Sequence, residues 1–289
     1  VKSWILALRP KTLTAAIVPV VVGSAVAAIH PAGWTPWVSV CALLAAIFIQ
    51  IATNLFNDAI DFAKGADTHA RIGPQRVTQS GLLSSHVVMA GGVLALVIAV
   101  LLGIPLVIRG GAPIVVIGLV SLFLAYAYTG GPYPLAYRGL GDLFVFLFFG
   151  LIAVGGVVFL HTGEWTPAAM VAGAQVGLLG TVLIAVNNLR DHAQDRAVHK
   201  WTLAARFGPG FARGEIVCLM SAAYGLGGWW ASQGYYEAAL LPLLSLPLAF
   251  AVVRGVLRTE PSEKFNRFLA QAAGTQLLFG SFLTIGLAL

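Results

Sequence analysis

The sequence predicts an all-α integral membrane protein: nine transmembrane helices bundled around a central cavity, with a cytoplasmic N-terminus and an external C-terminus. Three observations carry that prediction. The 289 residues are 58% hydrophobic and only 10% charged, with a mean hydropathy of +0.88, whereas a soluble domain carries about 25% charged residues. The apolar runs are continuous and about twenty residues long, the length that crosses a bilayer as a helix. A β-barrel would instead alternate polarity over segments of about ten residues. Finally, 16 of the 17 lysines and arginines fall in alternate connections between those runs.

Apolar windows near 13–30, 37–57, 86–108, 113–129, 140–160, 168–189, 212–232, 237–256 and 268–288 define the nine helices. With the N-terminus inside, Lys2, Arg9 and Lys11 are cytoplasmic, as are Lys64, Arg71 and Arg76 after the second helix and Arg138 after the fourth. The connection after the sixth adds Arg190, Arg196, Lys200, Arg206 and Arg213, and that after the eighth adds Arg254, Arg258, Lys264 and Arg267. Only Arg109 is left outside. The positive-inside rule fixes this orientation and accounts for the net charge of +6 without a nucleic-acid partner. The 33 glycines and 14 prolines suit membrane helices, and Gly91 and Gly92 read as close-packing positions. Cys41 and Cys218 lie in apolar runs and read as small buried hydrophobes. The basic, amphipathic start "VKSWILALRPKTL" shows no signal-cleavage pattern.

The acids are the informative residues. The second helix ends on Asn54, Asn57, Asp58 and Asp61, and the sixth on Asn187, Asn188, Asp191 and Asp195. Residues three and four apart share a helix face, so each set forms a polar stripe about two turns long. Both stripes lead into long cytoplasmic connections that supply cations: Arg71 and Arg76 after the first, Lys200 and Arg206 after the second. Their recurrence about 130 residues apart reads as a diverged internal repeat within a single domain spanning 1–289, its motifs at 54–67 and 187–208. Helix capping explains one such stripe; two with trailing cations call for a ligand. Clustered carboxylates and carboxamides suit Mg²⁺, which prefers a few carboxylates plus substrate phosphate oxygens, and the trailing cations suit the remaining phosphate charge. A diphosphate at that depth implies a lipid tail in the hydrocarbon.

Other classes fit less well. A secondary transporter places its ionisable groups near the midplane, and here they gather at one face. A CDP-alcohol phosphatidyltransferase keeps its acids in one contiguous motif with glycine where this chain has Phe62. No histidine pair among His69, His86, His192 and His199 has ligand spacing with an acid on the same face.

"NDAID" (57–61) and "DHAQD" (191–195) resemble the paired acidic motifs of the UbiA superfamily of intramembrane prenyltransferases, and the resemblance covers essentially the whole chain. The stretches "KGADTHARIGPQRVTQSGLLS" (64–84), "YTGGPYPLAYRGLGDLFVFLFFG" (128–150) and "NNLRDHAQDRAVHKWTLAARFG" (187–208) resemble the branch that prenylates 1,4-dihydroxy-2-naphthoate for menaquinone. The wider pattern has a third acid where Gly65 stands, with Asp67 two residues on. His199 stands where glycine is expected before Lys200.

The resemblance implies Mg²⁺-dependent transfer from a polyprenyl diphosphate to a dihydroxynaphthoate-type acid, with loss of CO₂, at the cytoplasmic face of a bacterial inner membrane. It implies two Mg²⁺ ions bridging the diphosphate, held by Asn57, Asp61, Asp191 and Asp195 with Asp58 and Asp67 beside them. Asp61, Asp191, Asp195 and Lys200 are the expected catalytic residues, and Arg71, Arg76, Lys200 and Arg206 the diphosphate clamp. Tyr126, Tyr128 and Tyr133 are candidates to face the allylic cation, with the interfacial aromatic belt as their alternative role. Arg138 or Arg9, with Lys11, is placed to hold the acceptor carboxylate. 4-Hydroxybenzoate and homogentisate remain alternative acceptors.

Overall fold

The computed structural model describes residues 2–66 and 72–289 apart from the Lys11 side chain, and among the described residues the regular structure is helical. α1 (Lys2–Leu8) and a 3₁₀ turn (Pro10–Thr12) lead into α2 (Thr14–Ala28), α3 (Pro36–Ala63) and α4 (Ser85–Ala127). A 3₁₀ turn at Leu135–Arg138 precedes α5 (Gly141–Phe146), which continues through a π-helical turn (Leu147–Leu151) into α6 (Ile152–Thr162). There follow α7 (Pro167–Ala197), α8 (Leu203–Phe207), α9 (Pro209–Gly225), α10 (Gly227–Ser232), α11 (Tyr236–Leu240), α12 (Leu246–Arg258) and α13 (Phe265–Ala288).

Six helical segments among the described residues are long and apolar enough to cross a membrane: 36–63, 85–127, 141–162, 167–197, 236–258 and 265–288. α4 is exceptional, because 43 residues at about 1.5 Å each reach about twice the hydrocarbon thickness of about 30 Å. It is not one rod. Gly111 interrupts it with φ 63° and ψ −150°, a backbone that glycine adopts without steric cost. The interruption falls between the two apolar windows that the sequence separates at 108 and 113. α2 is apolar but has 15 residues, and α9 and α10 meet end to end at Leu226.

Local chemistry sets the helix starts. Thr166 precedes Pro167 and its hydroxyl accepts from Ala169 N at 3.1 Å, and Thr202 accepts from Ala205 N at 3.2 Å at the start of α8. Both are N-caps that satisfy a donor the helix leaves unpaired. Packing then relies on small residues. A Cβ on Gly92 would lie 2.5 Å from the Phe56 ring and one on Gly91 2.9 Å from Trp4, so both glycines serve as packing positions. The π turn meets α7 through backbone: a Cβ on Gly150 would lie 2.5 Å from the Gly173 carbonyl oxygen and 2.6 Å from Gly177 Cα.

The largest buried cluster draws on α2, α6, α7, α9, α10, α12 and α13, with Val22, Val176, Ile216, Trp230 and Phe279 at its centre. Trp230 donates its indole N–H to Gln175 Oε1 at 2.8 Å, which removes the cost of burying that donor. On α4, by contrast, Leu94, Leu101, Ile108, Leu119 and Phe123 stand exposed, the surface expected of a helix facing lipid. Cys41 is half-buried and Cys218 exposed. Cys218 therefore corrects the expectation of a buried thiol, since an apolar run in a membrane chain has a lipid face as well as a core face.

Candidate active site

The two acidic motifs end their helices in the same way. At the end of α3, Ala66 N bonds the Asp61 carbonyl at 2.9 Å and Gly65 N the Phe62 carbonyl at 3.0 Å, with Gly65 at φ 70°. At the end of α7, Lys200 N bonds the Asp195 carbonyl at 2.8 Å and His199 N the Arg196 carbonyl at 3.2 Å, with His199 at φ 56°. Each is a Schellman closure, a left-handed residue just past the helix that satisfies its last carbonyls. His199 thus stands in the backbone conformation that makes glycine the expected residue. Asp61 and Asp195 occupy equivalent positions in the two closures. Both carboxylates sit at negative helix ends, so the place attracts cations.

Between these ends lies a cavity of about 620 Å³. Asn57 and Asp61 reach it from α3, Asn187 and Asn188 from α7, Arg76 and Lys200 from the connections, and Arg9 from the N-terminal segment. Asp61 Oδ1 accepts from the Tyr137 hydroxyl at 2.9 Å, and its Oδ2 lies 3.8 Å from the Arg76 guanidinium. Asn57 Oδ1 accepts from the Thr129 hydroxyl. Asp195 pairs with Lys200 at 3.3 Å through Oδ1, while its Oδ2 is buried with no hydrogen-bond partner. Burial disfavours the Lys200 ammonium, but the carboxylates of Asp195, Asp61 and Asp191 outweigh it and raise its pKa above the usual lysine value. It therefore stays protonated at neutral pH.

Asp191 sits behind the cavity wall. Its neighbour Arg190, 2% exposed, grips it with two hydrogen bonds of 2.7 and 2.6 Å. The same guanidinium donates to Asn187 Oδ1 at 2.9 Å and to Asn266 Oδ1, on α13, at 2.7 Å. Asp58 is likewise turned away, accepting from Val77 N at 3.2 Å and Thr78 N at 3.0 Å. Its carboxylate fixes the strand of chain that carries Arg76. Asn54 latches the N-terminal segment by donating to the Leu8 carbonyl at 3.0 Å and to Thr12 Oγ1 at 2.9 Å. Arg9 in turn reaches the Asn54 carbonyl at 3.4 Å from a left-handed backbone, φ 50°.

Of the three candidate tyrosines only Tyr128 lines the cavity. Burial, then the carboxylates of Asp142, Asp61 and Asp195, push its pKa up, which keeps the phenol neutral. Tyr126 is exposed and packs edge-on against Phe56 at 5.9 Å. Tyr133 is exposed beneath the Arg138 guanidinium, 4.5 Å from it, so those two satisfy one another outside the cavity. Arg206 is also exposed and reaches only the Arg138 carbonyl, at 3.5 Å. Asp67 and Arg71 lie outside the described residues.

Sequence reasoning missed Tyr137, Thr129, Arg190, Asn266 and Asp142. Tyr137 and Asp142 stand inside the 128–150 block, where a polar residue entering an apolar helix was a usable signal. Arg190 was counted only toward topology, and nothing local marks Asn266. Among the described residues no three His, Cys, Asp or Glu side chains converge into a metal cage. Mg²⁺ completes its shell with phosphate oxygens and water, and Asp195 Oδ2, buried and without a hydrogen-bond partner among the described residues, is a ready ligand atom.

Known proteins of one family are similar to this chain in sequence and in fold. The UbiA prenyltransferase family model matches residues 16–279. The chain is 32% identical over 306 residues to the 1,4-dihydroxy-2-naphthoate octaprenyltransferase of Escherichia coli (strain K12), covering 100% of this chain and 96% of that one. Its fold is similar to the apo structure of a UbiA homolog from Aeropyrum pernix K1, with a TM-score of 0.73 at 16% identity over 95% of this chain and 97% of that one. A UbiA homolog from Archaeoglobus fulgidus bound to GPP and Mg²⁺ gives a TM-score of 0.65 at 14% identity, over 99% of this chain and 100% of that one.

Proposed function

The chain belongs to the UbiA prenyltransferase family, and from that premise we propose that it transfers a polyprenyl group from its diphosphate to 1,4-dihydroxy-2-naphthoate. The products are demethylmenaquinol, CO₂ and diphosphate. The observation that carries the reading is the cavity itself, which gathers Asn57, Asp61, Arg76, Asn187 and Lys200 at the ends of two helices. The naphthoate acceptor is supported by the E. coli relative, which aligns over the full length of this chain.

Asn57, Asp61 and Asp195 are the residues that would hold two Mg²⁺ ions together with diphosphate oxygens, and Asp191 would join them by exchanging its Arg190 contacts. Bound Mg²⁺ supplies Lewis-acid stabilisation of the leaving group. Arg76 and Lys200 lie against these carboxylates and bind the diphosphate oxygens as the charge on them grows. Arg71, and Arg206 after a side-chain rearrangement, complete that clamp. The cavity wall of Val145, Phe149, Leu183 and Ile184 excludes water from the allylic cation, and Tyr128 offers its neutral ring to it. Arg9 holds the acceptor carboxylate. Asp58 acts by positioning Arg76.

The molecule crosses the membrane nine times in this reading. α2, the two halves of α4 and the α9–α10 pair add crossings to the segments of obvious length, and the site faces the cytoplasm. α3 and α7 are equivalent elements of a diverged repeat. Asn54, Asp61 and Gly65 are each followed at a constant interval of 134 residues by Asn188, Asp195 and His199.

The test incubates membranes containing the protein with Mg²⁺, a polyprenyl diphosphate and each aromatic acid in turn. Demethylmenaquinol from dihydroxynaphthoate alone is the expected result; prenylation of 4-hydroxybenzoate or homogentisate instead overturns the acceptor. Asp61→Ala and Asp195→Ala are expected to lose turnover with membrane insertion intact. Full activity in EDTA would remove the metal.

A further inference from the structure

We propose that Asp142 is the general base of the reaction, taking a proton from a ring hydroxyl of the acceptor; this rests on the aromatic-prenylation reading above. Asp142 stands in the first turn of α5 and is 5% exposed. It lines the cavity, yet among the described residues no other residue donates a hydrogen bond to either carboxylate oxygen. A buried carboxylate without partners is costly and calls for a ligand that donates to it. The other acids near the cavity each meet a partner residue: Asp61 meets Tyr137 and Arg76, Asp191 meets Arg190, and Asp195 meets Lys200 through one of its two oxygens.

Its surroundings select the ligand. Gly141, Val145, Phe149, Leu183 and Ile184 line the cavity with it, an apolar wall suited to an aromatic ring rather than to diphosphate or a hydrated cation. Gly141 leaves room there, since a Cβ would lie 2.9 Å from the Tyr128 hydroxyl. Among the described residues, Tyr128 after α4 and Glu215 on α9 interact electrostatically with Asp142, and Tyr137 and Arg138 precede it in the turn before α5. Arg138 is exposed and stacked on Tyr133, and Tyr137 is bonded to Asp61. Among the described residues no ion pair joins a cation to Asp142, and the acceptor's own carboxylate is repelled from it toward the basic end of the cavity.

The step balances on these groups. The hydroxyl proton passes to the Asp142 carboxylate as the carboxyl-bearing ring carbon bonds to C1 of the prenyl group. The C1–O bond breaks, its electron pair leaving with diphosphate, and the ring becomes a ketone. Loss of CO₂ returns an electron pair to the ring, and Asp142 gives the proton back to the oxygen.

The experiment uses the purified full-length protein in lipid nanodiscs with Mg²⁺, polyprenyl diphosphate and whichever phenolic acid the wild type turns over. Asp142→Asn is expected to lower kcat by about 100-fold or more, the scale of general-base catalysis, with the KM for prenyl diphosphate unchanged. Asp142→Ala is expected to recover activity with added formate, a small carboxylate that a structural role does not call for. Asp142→Glu, which keeps the charge should the amide fail to insert, is expected to retain measurable turnover. Wild-type kcat in Asp142→Asn overturns the proposal. So does a selective loss of Mg²⁺-diphosphate binding, or an Asp142→Ala protein that formate does not rescue. If the wild type uses another acid than dihydroxynaphthoate, the acceptor assignment fails and this proposal is still decided.

Discussion

Arg190 shows how one residue organises a site that it does not line. Four hydrogen bonds join it to Asp191 twice, Asn187 and Asn266, so a single buried guanidinium ties the second acidic motif to α13. Removing one partner of a buried pair leaves a naked charge, at a cost of about 3–5 kcal/mol. Arg190→Met is therefore expected to lower thermal stability in detergent markedly, and Asp191→Asn in the same chain to restore part of it; equal melting of wild type and Arg190→Met would contradict this. His199 gives a prediction of opposite sign. A left-handed backbone costs an L-residue about 1–2 kcal/mol, while glycine pays about 0.5–1 kcal/mol in lost freedom. His199→Gly is thus expected to be neutral or to stabilise by up to about 1 kcal/mol, whereas His199→Val, β-branched in a conformation it rarely adopts, melts earlier. Thermal unfolding of both variants checks the pair. The expectation of glycine at 199 came from the resemblance to the family's pattern around Lys200, and the left-handed backbone there gives its physical reason. Arg190 was not legible, since an arginine beside an aspartate reads the same in solvent or in a core.

At the scale of elements, the acidic stripes were legible because helical periodicity puts residues four apart on one face, and both stripes do end their helices at the cavity. The division of labour within them was not. Asp58 and Asp61 are three apart, yet one accepts from the backbone of the Val77–Thr78 segment and the other faces the cavity; only the return path of the chain decides which. The contact of the π turn with α7 was equally hidden, because glycines that pack backbone against backbone look like any others in a run that contains many. It matters because Phe149 of the turn and Gly180 and Ile184 of α7 form one cavity wall with Val145 of α5. A Cβ on Gly177 would lie 2.7 Å from the Phe146 carbonyl oxygen and 3.0 Å from Gly150 Cα, atoms that cannot rotate aside. Gly177→Val is expected to cost about 1–3 kcal/mol, as overpacking does, and to lower kcat by displacing that wall. Gly103, whose added Cβ meets nothing within 4 Å, supplies the control: Gly103→Val should leave both melting and turnover near wild type. Equal effects at the two positions would reject the close-packing role.

For the whole molecule, hydropathy located the apolar segments because each helix must satisfy its backbone within the bilayer. It did not foresee the composition of the cavity, whose lining joins residues as distant as Lys2 and Asn266, nor the 3.2 Å bond that Asn266 donates to the Ile72 carbonyl. The charge pattern assigns the sides, and α4 is where that assignment is most exposed to test. If its two halves cross separately, the chain leaves and re-enters at Gly111, and Arg109 lies on the external side. Arg109 donates to the carbonyls of Leu160 at 2.6 Å and His161 at 3.4 Å, so the break in α4 and the end of α6 lie at the same end of the molecule. That end also carries the His30–Glu164 contact, 3.6 Å, and has Arg109 in place of the many lysines and arginines that crowd the other. Leu82 and Pro132, exposed before and after α4, then belong on the same side. In a chain with Cys41 and Cys218 replaced by serine, Leu82→Cys and Pro132→Cys are expected to resist an impermeant thiol reagent in intact cells and to react once the cells are opened. Gly163→Cys and Leu289→Cys are expected to react from outside. Opposite behaviour of positions 82 and 132 would mean a single crossing by α4. It would remove one helix from the count and reverse the side of every segment beyond it, including the α7 end that carries Asp195 and Lys200. The two acidic motifs would then face opposite sides of the membrane, an arrangement that their shared cavity excludes.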